Sequence, residues 1–558
     1  MSWLSPSELR VGLGCMRLEP DDDATIAAAV KAGMTVFDTA RAYEGGEERL
    51  ARALADVPGA RVVTKGGMSR PDGAWVPDGR ARSIRADCEA SLAALRGLSI
   101  DLYLLHTPDP RTPWQTSVRA LAKLVEEGLV SRVGLSNVNR DQLDEALALA
   151  PIAAVEVALS PFDDRALRGG VVDRCAEVDV TLIAHSPLGG PRRAKQLDRL
   201  EAFKAVAEKH GVPTAEVALA WLLDLGPNVV AIPGARRPAT ATSAAGAAVL
   251  RLDDDDRRRL GGRRRRRPKR AKAAGNVVVV MGIPGAGKSR VAEGLVAEGY
   301  VRLNRDERGG ALRELADALD DALSAGTRKV VMDNTYLTRA SRSYVVETAA
   351  RHGVEARCTW LDTPLAQAQV NLVERLLDRY ERLPTPEDLK RLSRGEPGVL
   401  APTSQMRALR ELEPPSEDEG FSVVERVEYV RAPHAERTRA GLFLAASCVG
   451  RRDWDAHLAD ADTSSPCLVF DWIPGGSVTE LEGVVAKVAT ILDGPVEAAV
   501  CPHPGGPPIC WCRPPLPGLP LAFARAHGID PARSLVIGAS PAHRTLANAL
   551  GSRHLLLG

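Results

Sequence analysis

Eight short apolar runs divide the first 260 residues: Val11–Gly14, Thr35–Asp38, Arg61–Lys65, Asp101–His106, Arg132–Asn137, Ala154–Ala158, Thr181–His185 and Val229–Gly234, with Ala/Leu-rich helical segments between them. Continuous apolar runs alternating with helical pattern read as parallel strands buried on both faces. Eight βα units is the count that closes a (β/α)8 TIM barrel, whose chemistry gathers at the C-terminal ends of the strands. Asp38, Lys65, His106, Ser136, Asn137 and Ser186 stand at those ends, and Tyr43 follows in the loop after the second run.

These residue types suit proton-coupled hydride transfer. A phenol with a reference pKa near ~10 is a weak acid at neutral pH. A neighbouring lysine ammonium lowers that value, a carboxylate holds the lysine, and a histidine can hydrogen-bond a substrate carbonyl. Asp38-Thr39-Ala40 with Tyr43, Thr64-Lys65, Leu105-His106, Gly134–Asn137, His185–Gly190 and Ile232–Ala235 resemble, in order and spacing, the motifs of the aldo-keto reductase family. The resemblance covers nearly all of residues 1–260. It implies Tyr43 as proton donor, Asp38 and Lys65 as its tuners, and His106 as the carbonyl-orienting group. It also implies NADPH, with Ser136 and Asn137 on the nicotinamide amide, Ser186, Leu188, Gly189 and Gly234 along the dinucleotide, and Arg236 and Arg237 on the 2′-phosphate. Glu156 stands where the family usually has Gln, His185 where it often has a stacking aromatic, and Thr242-Ser243-Ala244 where a Glu-Asn pair often reaches the adenine.

A chain of 558 residues exceeds one core and predicts three or four domains. Hydrophobic content of 45% and charged content of 26% are ordinary for soluble globular proteins, and a net charge of +1 gives no global attraction to nucleic acid. No apolar run reaches membrane-spanning length, the N-terminus lacks a signal-peptide pattern, and nine scattered cysteines suit reduced thiols, so the expectation is a cytoplasmic protein without membrane contact. Asp253–Asp256 can begin the barrel's last helix, since carboxylates favour a helix N-terminus. The Arg/Lys-rich segment that follows, within residues 261–275, reads as a self-repelling linker with a possible phosphate contact.

The next domain, residues 276–435, opens on an apolar strand, Val277–Met281, followed by Gly282-Ile283-Pro284-Gly285-Ala286-Gly287-Lys288-Ser289 and a helical segment. Strand, glycine-rich turn, Lys-Ser and helix make a P-loop: backbone N–H groups cradle phosphate oxygens, Lys288 neutralises charge and Ser289 can ligate Mg²⁺. The segment is expected to bind ATP in a P-loop NTPase α/β fold. Asp306 follows a second strand, where it suits a base for an acceptor hydroxyl, and Asp333 ends a third. Arg375, Arg379 and Arg382 fall on one helical face, suited to a cationic lid over the phosphates. Together with Asn304-Arg305-Asp306, Asp333-Asn334-Thr335, Ser341-Arg342 and Gly353-Val354, this resembles the kinase half of polynucleotide kinase/phosphatases. That resemblance implies phosphorylation of nucleic-acid 5′-hydroxyls with Asp306 as base. DNA, RNA and a small-molecule hydroxyl all remain open as acceptors.

In residues 436–558, Cys501, His503, Cys510 and Cys512 form a C-x-H…C-x-C set suited to a closed, structural Zn²⁺ site. Cys512-Arg513-Pro514 and Leu535–Gly538 resemble the zinc-containing phosphatases of the haloacid dehalogenase superfamily, which implies a Rossmann-like α/β fold. The nucleophile and Mg²⁺ positions carry Ala445-Ala446-Ser447 and Ala539, and alanine can neither attack phosphorus nor bind Mg²⁺. The sequence therefore reads as a fused reductase and kinase with an inactive phosphatase-like domain. The alternative is a small-molecule kinase regulated by an NADPH-sensing barrel. Oligomeric state stays open.

Overall fold

The computed structural model describes residues 3–5, 7–19, 22–261, 275–431, 436–459 and 461–557. The basic segment Arg263–Arg270 lies outside the described residues, as does most of the expected linker. Two compact units form, residues 1–266 and 267–558.

In the first unit the eight expected strands all form: β1 (Leu13–Gly14), β2 (Val36–Asp38), β3 (Arg61–Gly66), β4 (Ile100–Leu105), β5 (Val133–Ser136), β6 (Ile152–Ala158), β7 (Thr181–His185) and β8 (Val229–Ile232). They pair in sequence order. Parallel bridges Val11↔Ala231 and Gly14↔Gly234 join the last strand to the first and close the barrel. Its interior is filled by Val36, Val63, Leu102, Leu104, Ile183 and Val230, a packed core rather than a pore. Asp253 caps a last helix, Asp254–Arg259, by accepting from the amides of Asp255 and Asp256 at 2.9 Å each. The acidic run thus does begin that helix.

The second unit holds two five-stranded parallel sheets. The first contains β9 (Asn276–Met281), β10 (Val301–Asn304), β11 (Lys329–Asp333), β12 (Glu355–Asp362) and β13 (Val423–Glu428), in the order β10-β11-β9-β12-β13. Behind it, the fully buried Arg342 guanidinium holds Glu419 through two bonds of 2.8 and 2.7 Å and donates to the carbonyls of Tyr336, Leu337 and Glu413. Breaking such a buried pair typically costs about 3–5 kcal/mol. The second sheet contains β14 (Leu442–Ala445), β15 (Cys467–Trp472), β16 (Val496–Cys501), β17 (Leu535–Gly538) and β18 (Arg553–Leu556), in the order β16-β15-β14-β17-β18. One core joins this sheet to the Leu365–Tyr380 helix of the first: Leu372, Val373, Leu376 and Leu377 pack with Phe443, Phe470, Leu521 and Leu546. No helix among the described residues is long and apolar enough to cross a membrane.

Candidate functional site

At the mouth of the barrel, β2 ends on Asp38, β3 carries Lys65, and β6 carries Glu156, all buried. Lys65 Nζ lies 2.5 Å from Asp38 Oδ1 and 3.3 Å from Glu156 Oε2, and donates to the Thr39 carbonyl at 3.0 Å. Two carboxylates around one ammonium leave excess negative charge. Burial and the charge of Glu156 push Asp38 up to about 7, and burial raises Glu156 as well. Lys65 is held well above its ordinary value by both carboxylates, against the pull of its own burial.

Tyr43 packs over this cluster, with Lys65 Nζ 5.5 Å from its ring centre and the His106 ring 5.8 Å away, edge-on. The expectation that Lys65 lowers the phenol's pKa is corrected in its net outcome. Lys65 does pull it down, but burial wins and pushes Tyr43 up to about 12. The charges of Asp38 and Glu156 add to that rise. His106 is drawn down to about 3 by burial and by Lys65, so its imidazole is neutral at physiological pH. Trp75, on the loop between the short strands Met68–Ser69 and Val76–Pro77, closes the aromatic group at 6.2 Å from Tyr43 and 5.7 Å from His106. Sequence reasoning passed over Trp75 and read Glu156 as a departure only. A lone exposed aromatic in a glycine-rich loop was the available signal.

Around this centre, Ser136 is buried at the end of β5, and Asn137 Nδ2 donates to the His106 carbonyl at 3.0 Å and to Ser136 Oγ at 3.1 Å. Asn137 and Ser186 both adopt left-handed backbone, with φ of 58° and 49°. Gly189 also has positive φ, 78°, and a Cβ there would meet Phe162 at 2.7 Å. Leu188 packs against the outer core. Gly234 and Arg237 are exposed after β8, and Arg236 pairs with Glu19 at 2.5 Å. Hydroxyl and amide groups at β5, left-handed backbone after β7 and two guanidiniums after β8 are a donor set that fits a dinucleotide across the strand ends.

In the second unit, a cavity of about 1140 Å³ opens at the C-terminal edge of the first sheet. Residues from Gly285 to Ser289 line it, with Asp306, Asp333 and Arg375. The carbonyls of the loop are tied outward: Gln405 donates to Pro284 O at 2.7 Å, Asn371 to Gly285 O at 2.9 Å, and Thr363 to Ala286 O at 3.1 Å. With its carbonyls engaged elsewhere, the loop can turn N–H groups to an anion. Gly285 is required, because a Cβ there would stand 2.2 Å from the Ala368 carbonyl oxygen. Lys288 Nζ donates to the carbonyls of Gly282 and Ile283 at 3.0 Å each, and burial draws it down to about 8. The residues present therefore fit a triphosphate, whose charge would offset that desolvation.

Asn304 caps the turn that carries Asp306, accepting from its amide at 2.6 Å, and donates to Asp333 at 2.9 Å. Asp333 is also gripped by Arg302, whose Nε lies 3.0 Å away. The expected arginine face supplies one cation to the cavity lining, not three. Arg375 lines it and donates to Gly398 O at 2.7 Å, whereas Arg379 pairs with Glu396 at 2.5 Å and Arg382 with Asp388 at 2.8 Å. Asn371, Gln405 and Thr363 carried no sequence signal, since amides and hydroxyls on helices and turns are common.

In the last sheet, the sulfur and nitrogen atoms of Cys501, His503, Cys510 and Cys512 all lie within 4.8 Å of one another. Cys501 Sγ is 3.5 Å from His503 Nδ1, 3.7 Å from Cys510 Sγ and 3.3 Å from Cys512 Sγ. Zn–S bonds of about 2.3 Å set tetrahedral edges on the order of 3.7 Å, so the donor set fits zinc. The central strand β14 runs into Ala445-Ala446, Ser447 follows, and Ala539 follows β17. Asp471, half-buried on the neighbouring β15, accepts from the Trp472 amide at 2.7 Å.

Residues 10–262 match the aldo/keto reductase family, and residues 277–393 match a family described as an AAA domain. A soybean (Glycine max) protein named "Probable aldo-keto reductase 1" is 33% identical over 267 residues, which span 40% of this chain and 76% of that protein. Aldo-keto reductase str7 of Strobilurus tenacellus is 32% identical over 255 residues, 39% of this chain and 74% of that one. The solved structure of a glycerol dehydrogenase from Gluconobacter oxydans is 29% identical, covers 46% of this chain and 92% of its own, and has a TM-score of 0.42.

The buried cluster has a consequence for pH. Asp38, raised to about 7, binds its proton more tightly folded than unfolded. Its contribution to barrel stability is therefore fully present below pH ~4 and is lost as pH rises through about 7. Urea unfolding between these limits is expected to show a falling stability that flattens in Asp38→Asn; an unaltered slope would contradict the assignment.

Proposed function

The chain belongs to the aldo/keto reductase family through residues 10–262, and from that premise we propose that its barrel reduces the carbonyl of a small aldehyde or ketone with NADPH. The observation that carries the reading is the Lys65–Asp38 pair at 2.5 Å beneath Tyr43 and a neutral His106. Bound NADPH would supply the hydride to the carbonyl carbon. Tyr43, its pKa pushed up to about 12, keeps its proton at working pH and gives it to the carbonyl oxygen, yielding the alcohol. Lys65, fixed by Asp38 and Glu156, stabilises the phenolate left behind, and solvent restores the proton. His106 donates to the carbonyl oxygen through Nε2 and sets its direction. Ser136, Asn137, Ser186, Leu188, Gly189 and Gly234 would hold the dinucleotide, and Arg236 and Arg237 its 2′-phosphate. General acid catalysis contributes about 10²–10⁴-fold. Tyr43→Phe is therefore expected to lower NADPH-dependent reduction of a generic aldehyde by about that factor while leaving NADPH affinity, followed by fluorescence titration, within twofold.

Residues 277–393 form a P-loop kinase-like domain, and the reading extends to ATP-dependent phosphorylation of a nucleic-acid 5′-hydroxyl. Asp306 takes the acceptor's proton, and Lys288 and Arg375 neutralise charge on the transferring group. Ser289 and Asp333 are the residues that would hold Mg²⁺. Support comes from Asp306 and the phosphate loop lining one cavity. Transfer of labelled phosphate from ATP to matched DNA and RNA oligonucleotides is expected, with Asp306→Asn reducing it at least ~10²-fold. Labelling of a small-molecule hydroxyl but of neither oligonucleotide would shift the acceptor to a metabolite. The last sheet is read as a haloacid dehalogenase-like domain without hydrolytic activity, because alanines stand at the ends of β14 and β17. A 3′-phosphate on the same oligonucleotides is expected to survive the assay.

Cys501, His503, Cys510 and Cys512 would hold one structural Zn²⁺. Metal analysis of the purified chain is expected to give close to one zinc per chain, lost in the double variant Cys510→Ser/Cys512→Ser. Zinc content unaffected by those changes would remove the assignment.

A further inference from the structure

The cavity at the phosphate loop is larger than a triphosphate needs, and its far wall does not come from the P-loop sheet. Strand order fixes how its parts are laid out. Asp306 follows β10, at one edge of the sheet, the phosphate loop follows the central β9, and Val427–Arg431 leave β13 at the opposite edge. All five strands run parallel, so these segments meet along the same C-terminal edge. With Asp306 facing the acceptor on one side of Lys288, the rest of a bound nucleotide has to run the other way, toward β13.

There the wall belongs to the last domain. Pro531, Ala532 and Leu550 line the cavity beside Tyr429 and Val430. They are pinned in place. Arg431 donates to the carbonyls of Ala549, at 2.5 Å, and Leu550. Gln367, buried in the helix that follows β12, donates to the same Ala549 carbonyl at 2.8 Å. Arg437 grips Glu374 through two bonds of 2.8 and 2.7 Å. The Asp530 side chain accepts from the Ala532 amide at 3.0 Å and caps the Pro531–Arg533 turn. Val430 is 84% exposed, so its side chain is open to a ligand in the cavity it lines.

We infer that the last domain supplies the nucleoside half of the triphosphate site, with Ala532 as the exposed apolar contact for the base, Pro531 and Leu550 buried behind it, and Val430 as its facing contact. The inference rests on the P-loop reading above and gives the phosphatase-like domain a binding task in place of a hydrolytic one. An apolar wall joined to a phosphate cradle selects a nucleoside triphosphate over inorganic polyphosphate, because only the former has a base to bury.

The test compares two probes on the full chain by calorimetry with Mg²⁺ present: ATP and inorganic tripolyphosphate. Ala532 is exposed to the cavity, so a large side chain there fills the site without entering the core. Ala532→Trp is expected to weaken ATP at least ~10-fold while tripolyphosphate affinity stays within twofold. Unchanged ATP affinity overturns the inference. Photolabelling of the unaltered chain with 8-azido-ATP decides independently should the variant lose both ligands. Label on peptides spanning 529–533 or 549–552 supports the inference, and label confined to 276–431 overturns it. If the unaltered chain binds neither probe, the P-loop reading itself fails and the inference falls with it, an outcome distinct from ATP binding that ignores Ala532.

Discussion

Parallel strand pairing is the constraint on which every site in this protein depends. A parallel strand cannot return through a tight hairpin; it needs a crossover, and all strands of a sheet then finish at the same edge. Side chains far apart in sequence are thereby delivered to one place. Asp38, Lys65, His106 and Glu156 come from four strands of the barrel, or from the residue just after one, and meet at its mouth. The phosphate loop, Asp306 and Asp333 come from β9, β10 and β11 and meet above the P-loop sheet. The same edge of the last sheet carries Ala445 and Ala539 near its topological switch point, where ligands of such sheets usually bind.

Within the barrel the decisive term is charge balance in a buried place. One ammonium between two carboxylates is anchored more firmly than one beside a single carboxylate, because any movement separates it from both. Burial raises the Tyr43 phenol, and the two carboxylates add to that rise against the pull of Lys65. The phenol therefore holds its proton through neutral pH, and the direction favoured by the site is donation. A glutamine in place of Glu156 would return part of the lysine's charge to the phenol, so this residue tunes the balance between giving and taking a proton.

The barrel was legible because its signals are repetitive. Eight apolar runs, five of them ending on a polar residue, specify strand number, order and which end carries chemistry. The phosphate loop was legible because only glycine fits at Gly285 and because Lys-Ser must follow it. What stayed hidden depends on contacts without sequence periodicity. Trp75 reaches Tyr43 only through the fold of its loop. Asn371 and Gln405 hold the carbonyls of the phosphate loop from a distance of 86 and 121 residues. The arginine face misled because i, i+4 and i+7 spacing places Arg375, Arg379 and Arg382 on one side of a helix, and says nothing of nearby carboxylates. Glu396 and Asp388 take two of the three.

The last sheet can lack hydrolytic groups and still be indispensable to the unit that contains it. Leu372, Val373, Leu376 and Leu377, from the helix that carries Arg375, are buried in the core shared with β14 and β15. Each such side chain contributes about 1.5–3 kcal/mol on burial, so four together weigh about 6–12 kcal/mol, the size of a whole domain's net stability. Trp511, buried between Cys510 and Cys512, adds a bond of 2.9 Å from its indole nitrogen to the Leu400 carbonyl, two residues from the Gly398 carbonyl that holds Arg375. The cysteine cluster, the arginine of the phosphate cavity and the apolar helix face are thus one mechanical object. Ala445 lies in that same core and Ala539 packs against it, so both positions serve the packing of the object. Loss of that fold would expose the helix face and remove the support of the Gly398 carbonyl that holds the arginine.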